Sequence, residues 1–328
     1  MEEKLKSFAK YLVSFVLAAF LIYFAFNGVE WREFWQGLLQ TRWGYVMLSV
    51  LAAFAAVVVR AERWREMLKP LDPDIRRMKI WDASNIANCA SVALPGIGEI
   101  IRCGITSNRK ATYDKTFGTI LMERTWDLFA VFGLFVVAIM MKSDEFAPFF
   151  MDNIWAPLRE NLSFSLWWIF VLLVLAAAGS LFTIFWFEDR SGTCARLADL
   201  IRGVLQGLAA FMKMPRKGLF LIYTVLLWTL YMLMSYFILK AIPVFSGLDL
   251  ADAVFISAIG NVASIIPVPG GIGAYHYLLA LTLSSLYGSS WEMGLLFATL
   301  AHESHAILII VLGIESYIHR AIARRSRT

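Results

Sequence analysis

Residues 261–273 read NVASIIPVPGGIG, and this stretch decides how the chain is built. It interrupts two apolar runs, 251–266 and 274–287, each shorter than the ~20 residues a helix needs to cross ~30 Å of hydrocarbon. Pro267, Pro269, Gly270, Gly271 and Gly273 break any helix joining them, since proline lacks an amide proton and glycine is entropically costly in a helix. A related stretch, NCASVALPGIG, occupies residues 88–98 and closes a moderately apolar run, 80–94. Asn88 and Asn261 are each followed three residues later by a serine, Ser91 and Ser264, and then by a Pro/Gly break. The spacing predicts two re-entrant helical hairpins, 80–115 and 250–287. The plainer alternative is two unrelated loops in which proline and glycine recur because turns use them.

Composition sets the solvent for these hairpins. Of 328 residues 59% are hydrophobic and 17% charged, and the mean hydropathy is +0.65. A soluble domain carries ~25% charged residues to wet its surface, so this chain is an integral membrane protein, all α-helical. Six full spans are expected, at 8–26, 43–59, 117–141, 166–187, 218–239 and 293–318. The first is read as a retained span and not a cleaved signal peptide. The net charge of +5 does not point to nucleic acid, because the basic residues flank apolar runs. With the N-terminus inside and both hairpins returning to their own side, 24 of the 30 Lys and Arg fall on cytoplasmic segments. Arg60, Arg63 and Arg65 are among them, in the loop after the second span. Both termini are therefore expected in the cytoplasm. The amphipathic stretch 195–212 is read as a helix at that interface or a packed connector. Cys89, Cys103 and Cys194 form no Cys-x-x-Cys pattern and are read as packing residues.

This layout inserts the first hairpin from the cytoplasm and the second from outside. Related elements of opposite insertion mark an inverted-repeat transporter, with halves 43–141 and 218–318 in one polytopic domain, 1–328. Its site is expected near the midplane, where the broken helices meet. Asn88, Ser91, Asn261 and Ser264 offer neutral hydrogen bonds there, and Gly270, Gly271 and Gly273 admit close backbone approach. Helix N-termini aimed into the gap favour an anion such as a phosphate. The two serines serve equally well as helix–helix contacts.

Charges occur where a membrane disfavours them. Glu99 and Arg102 share a helix face after the first break, and Glu123, Arg124 and Asp127 lie inside the third span. Each central charge costs ~2.5–3.5 kcal/mol on insertion scales, so these groups must face protein, water or one another. One reading is a self-neutralised cluster in which Arg124 pairs with Glu123, Asp127 or Glu99. The other is a polar cleft in which arginines hold a lipid phosphate, with Arg102 the foremost ligand because guanidinium matches phosphate bidentately. Arg109 and Lys110 sit nearer the aqueous edge. His302-Glu303-Ser304-His305 lacks the i, i+4 spacing of a zinc-protease motif; its i, i+3 histidines still share a face that could hold a metal, but no third ligand is evident, so a buried polar patch on the last span is expected and no metal. His276, three residues past Gly273, is the histidine best placed to line a cavity. No nucleotide-binding Gly-x-x-x-x-Gly-Lys motif and no cofactor motif occurs.

With these residues quoted, the chain resembles the flippase-like transmembrane family that includes the membrane module of lysyl-phosphatidylglycerol synthase/flippase proteins. The resemblance rests on Arg63-Trp64, on Asn88 through Pro95 with Gly98-Glu99 and Arg102, on Glu123-Arg124 with Asp127, and on Asn261 through Gly273. It implies lipid translocation between leaflets, without catalysis, and carries over Glu99, Arg102, Glu123, Arg124 and Asp127 as site residues. Two features depart from the family. About ten residues follow the last expected span where two-domain members carry a synthase domain, so a separate lipid-modifying enzyme would supply the substrate. His276 stands where many members have a glutamate, which points to a different head group. The expected function is a flippase or scramblase for an anionic or aminoacylated phospholipid in the cytoplasmic membrane, compatible with a homo-oligomer. Polyprenyl-linked glycolipid transport, a membrane enzyme acting on a lipid phosphate, and a small-solute transporter are the alternatives.

Overall fold

The computed structural model describes residues 16–94, 96–152, 192–209, 212–263 and 268–325, with scattered positions between 175 and 186. Among the described residues there are helices and turns and no strand. The order is α1 (Val16–Phe26), α2 (Trp31–Leu39), α3 (Trp43–Leu68), α4 (Arg77–Ala93), α5 (Ile97–Thr106), α6 (Tyr113–Met141), α7 (Ser143–Phe150), α8 (Gly192–Ala209), α9 (Lys217–Ala241), α10 (Leu250–Ala263), α11 (Ala274–Tyr287) and α12 (Trp291–Arg325). Short 3-10 turns lie at Pro243–Phe245 and Pro269–Gly271.

Four helices are long and apolar enough to cross a membrane: Trp43–Leu68, Tyr113–Met141, Lys217–Ala241 and Trp291–Ala323. They correspond to the second, third, fifth and sixth expected spans. The first expected span is described only from Val16, and the fourth, 166–187, falls largely outside the described residues.

The second span departs from expectation in an instructive way. It does not stop at Val59 but runs nine residues further, to Leu68, just before Pro70. Its buried face continues in register through Val46, Ser49, Ala53, Val57, Arg63, Trp64 and Met67. Arg60 and Arg63 are thus on the helix and packed against α6, not in a solvated loop. Carboxylates opposite them make this tolerable, as described below.

Each predicted hairpin is a helix, a break and a second helix. In the first, α4 ends before Pro95, and Gly96 adopts φ +77, a left-handed conformation that glycine reaches without a Cβ clash. In the second, α10 and α11 are separated by the Pro269–Gly271 turn, with Gly270, Gly271 and Gly273 all at positive φ. The two open ends of the first pair lie together, since Lys79 near the start of α4 donates from Nζ to the Thr106 carbonyl at the end of α5, 2.6 Å away. The second pair closes likewise, with Tyr287 donating from Oη to Asp252 at 3.0 Å.

These bases lie at opposite ends of the bundle. At one end the loop after α3 meets the loop after α5, where Asn108 Nδ2 donates to Asp72 and Lys110 Nζ to Asp74, both at 2.7 Å. At the other end Lys142, after α6, pairs with Asp252 at 2.7 Å, and the Arg42 amide donates to the Ala241 carbonyl. The tips of the pairs meet between these ends. A Cβ at Gly270 would lie 3.3 Å from the Val92 carbonyl oxygen near the tip of α4.

Two apolar cores support the pairs. Trp64, Met67, Leu68, Ile80, Cys103, Ile120 and Phe220 pack under the first, and Phe245, Phe255, Leu279, Leu283, Leu296 and Phe297 under the second. α1 crosses the second break through Leu17, Ala18 and Leu21 against Val268 and Ala274, so closely that a Cβ at Gly273 would meet the Ile22 amide nitrogen at 2.9 Å. α4 is pressed on both sides: Gly98 of α5 lies against Ser91 and the Ala87 carbonyl, and Gly313 of α12 lies against Cys89. Small residues allow such approach where lipid supplies no hydrophobic drive between helices. Cys89 and Cys103 are packing residues, as read from the sequence. α8 packs against α6, as the connector reading had it. The remaining face of α6 carries exposed Leu128, Phe129, Phe132, Val136, Val137 and Met140.

Candidate functional site

Glu123 and Asp127 are four residues apart on α6 and share one face, which looks at α3 and α5. Arg63 of α3 bridges both, with Nη2 3.2 Å from Glu123 Oε1 and Nη1 2.8 Å from Asp127 Oδ1. Arg60, one turn earlier, places Nε 3.4 Å from Glu123 Oε1. Arg102 of α5 donates from Nη1 to Glu123 Oε2 at 2.7 Å. The residues are well sealed, Arg63 being 0% exposed, Glu123 1% and Arg102 5%. Glu123 is therefore a buried carboxylate met by three guanidinium groups, and charges so buried are stable only when paired.

Trp64 organises this cluster. Its ring lies 3.6 Å from the Arg102 guanidinium carbon, and its Nε1 donates to Thr119 Oγ1 at 3.1 Å. Thr119 donates in turn to the Thr116 carbonyl. The indole thus gives the cation a π face and keeps its own polar atom satisfied. Arg124 stands at the rim, half-exposed, with Nη2 2.6 Å from Glu99 Oε1. The expectation that Arg124 neutralises Glu123, Asp127 or Glu99 holds for Glu99. Glu123 and Asp127 are served by Arg63 and its neighbours; Arg124 points ~100° away from Glu123, as consecutive helical residues do.

Four guanidinium groups, Arg60, Arg63, Arg102 and Arg124, meet three carboxylates, Glu99, Glu123 and Asp127, leaving one positive charge in excess. Arg102 uses Nη1 alone; its Nε and Nη2 are buried and have no hydrogen-bond partner among the described residues. Those two nitrogens form the side-on edge of a guanidinium, the fork that grips two oxygens of a phosphate or carboxylate.

The second group of expected site residues lies around the other break. The Gly270 carbonyl oxygen is 2.7 Å from Nε2 of His302 on α12, and His302 Nδ1 is 2.9 Å from Glu303 Oε1. His276, at the start of α11, is buried between Phe26 and His302. Gly271 faces the same imidazole, its Cβ position 3.9 Å from His302 Nε2, whereas Gly273 is occupied by α1. His305, one turn beyond His302 on α12, is within electrostatic range of both His302 and Arg60.

The asparagines are less central. Asn261 donates to the Ser257 carbonyl on its own helix at 2.8 Å, and Asn88 is half-buried on the α4 face that leads to Val92. Ser91 is a helix contact against Gly98, and Ser264 lies outside the described residues. Sequence reading missed Arg60, His302 and Glu303. The usable signal for Arg60 was the unbroken helical register up to Pro70. His302 and Glu303 stand out in the sequence as part of a His-Glu-Ser-His run, but the Gly270 carbonyl that fixes His302 lies 32 residues upstream and is met only through the fold.

Residues 11–313 match the family described as the lysylphosphatidylglycerol synthase TM region. The chain belongs to this family. No curated protein and no solved structure matched it. The lysylphosphatidylglycerol synthase TM match takes in α1 through most of α12, and with it both polar groups. With four spanning helices it makes this a multi-pass membrane protein.

Proposed function

We propose that this protein moves a phosphate-containing lipid, anionic or aminoacylated, between the leaflets of the cytoplasmic membrane. The lipid head group would pass through the polar region between α3, α5, α6 and α12. The observation that carries this reading is the unpartnered Nε/Nη2 edge of Arg102, buried beside an excess positive charge. A buried donor pair without acceptors costs roughly 1–3 kcal/mol per group, and a phosphate relieves it. In the present conformation the edge is closed to solvent, so access requires α5 to part from α3 and α6.

The rest of the arrangement supports transport more than catalysis. We read α4/α5 and α10/α11 as re-entrant hairpins entering from opposite faces, in halves 43–141 and 218–318 of a single domain. The end at which α4 begins and α5 stops also carries Arg65, Lys69, Arg76, Arg77, Arg109 and Lys110, which supports reading that end, and with it both termini, as cytoplasmic. Six spans complete this reading. Gly270, Gly271, His276, Asn88 and Asn261 would line the head-group path, and Glu99 and Arg124 its rim.

The test is leaflet exchange in sealed proteoliposomes, using reporter-labelled anionic phospholipid, aminoacyl-phospholipid and polyprenyl phosphate. Protein-dependent exchange of one class, reduced at least ~10-fold in both Arg102→Ala and Arg102→Lys, is the expected result, because lysine cannot present a bidentate edge. Absence of exchange for all three under any imposed gradient would overturn the proposal.

A further inference from the structure

The group around His302 has a chemistry of its own. The Gly270 carbonyl oxygen can only accept, so the His302 nitrogen 2.7 Å from it, Nε2, carries a proton. In the neutral ring Nδ1 then holds a lone pair, and it points at Glu303 Oε1 from 2.9 Å. Two acceptors at that separation need a proton or a metal ion between them. His276 brings a third donor atom. Its Nε2 is 3.8 Å from the same Oε1, too far for a hydrogen bond, and its Nδ1 is buried without a partner among the described residues. His276 is 2% exposed, and Nε2, the ring atom nearer Glu303, is the one that would serve as ligand, with the ring proton on Nδ1. One ligand atom from each of His276, His302 and Glu303 fits within 4.8 Å of the others.

We propose that His276, His302 and Glu303 bind a divalent transition-metal ion of the Zn2+ type. Tetrahedral zinc, with bonds of about 2.0–2.2 Å, holds its ligand atoms roughly 3.3–3.5 Å apart, and the two separations from Glu303 lie on either side of that value. Two imidazoles and a carboxylate suit Zn2+ and its neighbours in the first transition row and exclude preference for Ca2+ or Mg2+. The Nε2–H bond to the Gly270 carbonyl is the outer contact that ordinarily fixes the tautomer and ring plane of a metal-bound histidine. Three protein ligands leave a coordination position free, and Glu303, with 44% of its side chain exposed, opens it to water or an anionic oxygen. A proton on His302 would satisfy the contact with Glu303, but it would not engage His276 Nε2, 3.8 Å from the same oxygen. The site joins α11, the Gly270 turn and α12, and it stands whether or not the protein transports lipid.

The full-length protein, purified and stripped with chelator, is titrated with Zn2+ and separately with Co2+. Saturable binding of one ion per chain is expected. The Co2+ form should show visible ligand-field bands of four-coordinate geometry without thiolate charge transfer, and X-ray absorption should show imidazole scattering. Glu303→Gln preserves size and hydrogen bonding, and it should weaken Zn2+ binding roughly 100-fold or more, beyond the loss typical of an outer-sphere partner. His276→Gln should do the same, while His319→Ala, at the far end of α12, should bind as wild type. The proposal is overturned by lack of saturable binding, by unchanged affinity in Glu303→Gln and His276→Gln, or by loss in His319→Ala. If His276→Gln fails to stay monodisperse, Glu303→Gln decides.

Discussion

Arg63 is the residue on which the buried charge balance turns. Among the described residues it is the one guanidinium that reaches both Glu123 and Asp127, and it is completely enclosed. Arg63→Ala should therefore lower stability by about 3–5 kcal/mol, the usual effect of stranding a buried partner. Arg124→Ala removes a half-exposed pair with Glu99 and should cost within about 1 kcal/mol. Thermal unfolding of the two variants in the same detergent measures the contrast; equal melting temperatures would refute the assignment of roles. The carboxylates and Arg102 could be picked out in the sequence because charge inside an apolar run is conspicuous. Arg60 could not, and Arg63 entered only through the family resemblance, because both follow the run directly and a scan for apolar length ends the span at the first arginine. What keeps the helix going is pairing across to α6, a tertiary effect that local composition does not record. The same limit hid the company of His276: its partners, His302 and Glu303, reach it only through the fold.

At the level of elements, both helix–break–helix pairs were legible from their prolines and glycines, the second to the residue and the first with its far end nine residues too long. The second pair spans Leu250 to Tyr287 as expected, and the first runs from Arg77 to Thr106 where 80–115 was anticipated. Shortness and breakers fix such units locally. How tightly their arms close was not legible, because close approach depends on what lies opposite each glycine. At Gly98 the opposing atoms include the Ala87 backbone carbonyl, which cannot swing away. Gly98→Val should cost roughly 1–3 kcal/mol through overpacking and should separate the arms of the first pair. At Gly260 the neighbour is the Tyr275 ring, 2.9 Å from a Cβ placed there. Gly260→Ala should also destabilise, but a second change, Tyr275→Leu, should recover most of the loss. A double-mutant cycle on unfolding midpoints distinguishes the two cases, and additive effects at 260 and 275 would contradict the contact.

For the molecule as a whole, fold class and membrane residence could be read from composition, since so few charges cannot wet so many apolar residues. The disposition of the two bases at opposite ends gives a prediction about sidedness. In a background with Cys89, Cys103 and Cys194 replaced by alanine, a cysteine at Arg109 and one at Gly247 should react with impermeant maleimide from opposite sides of sealed vesicles, Arg109 from the cytoplasmic side. Labelling of both from one side would rule out the proposed insertion. α6 adds a consequence for the energetics of passage. One face bears Glu123 and Asp127, and the other presents phenylalanine, valine and methionine outward, so the charged cluster is about a helix diameter from acyl chains. A lipid whose head enters beside α6 need never withdraw its tails from hydrocarbon, where each buried methylene is worth ~0.8 kcal/mol. The work of crossing then falls on dehydrating the head alone, and chain length should leave the rate nearly untouched.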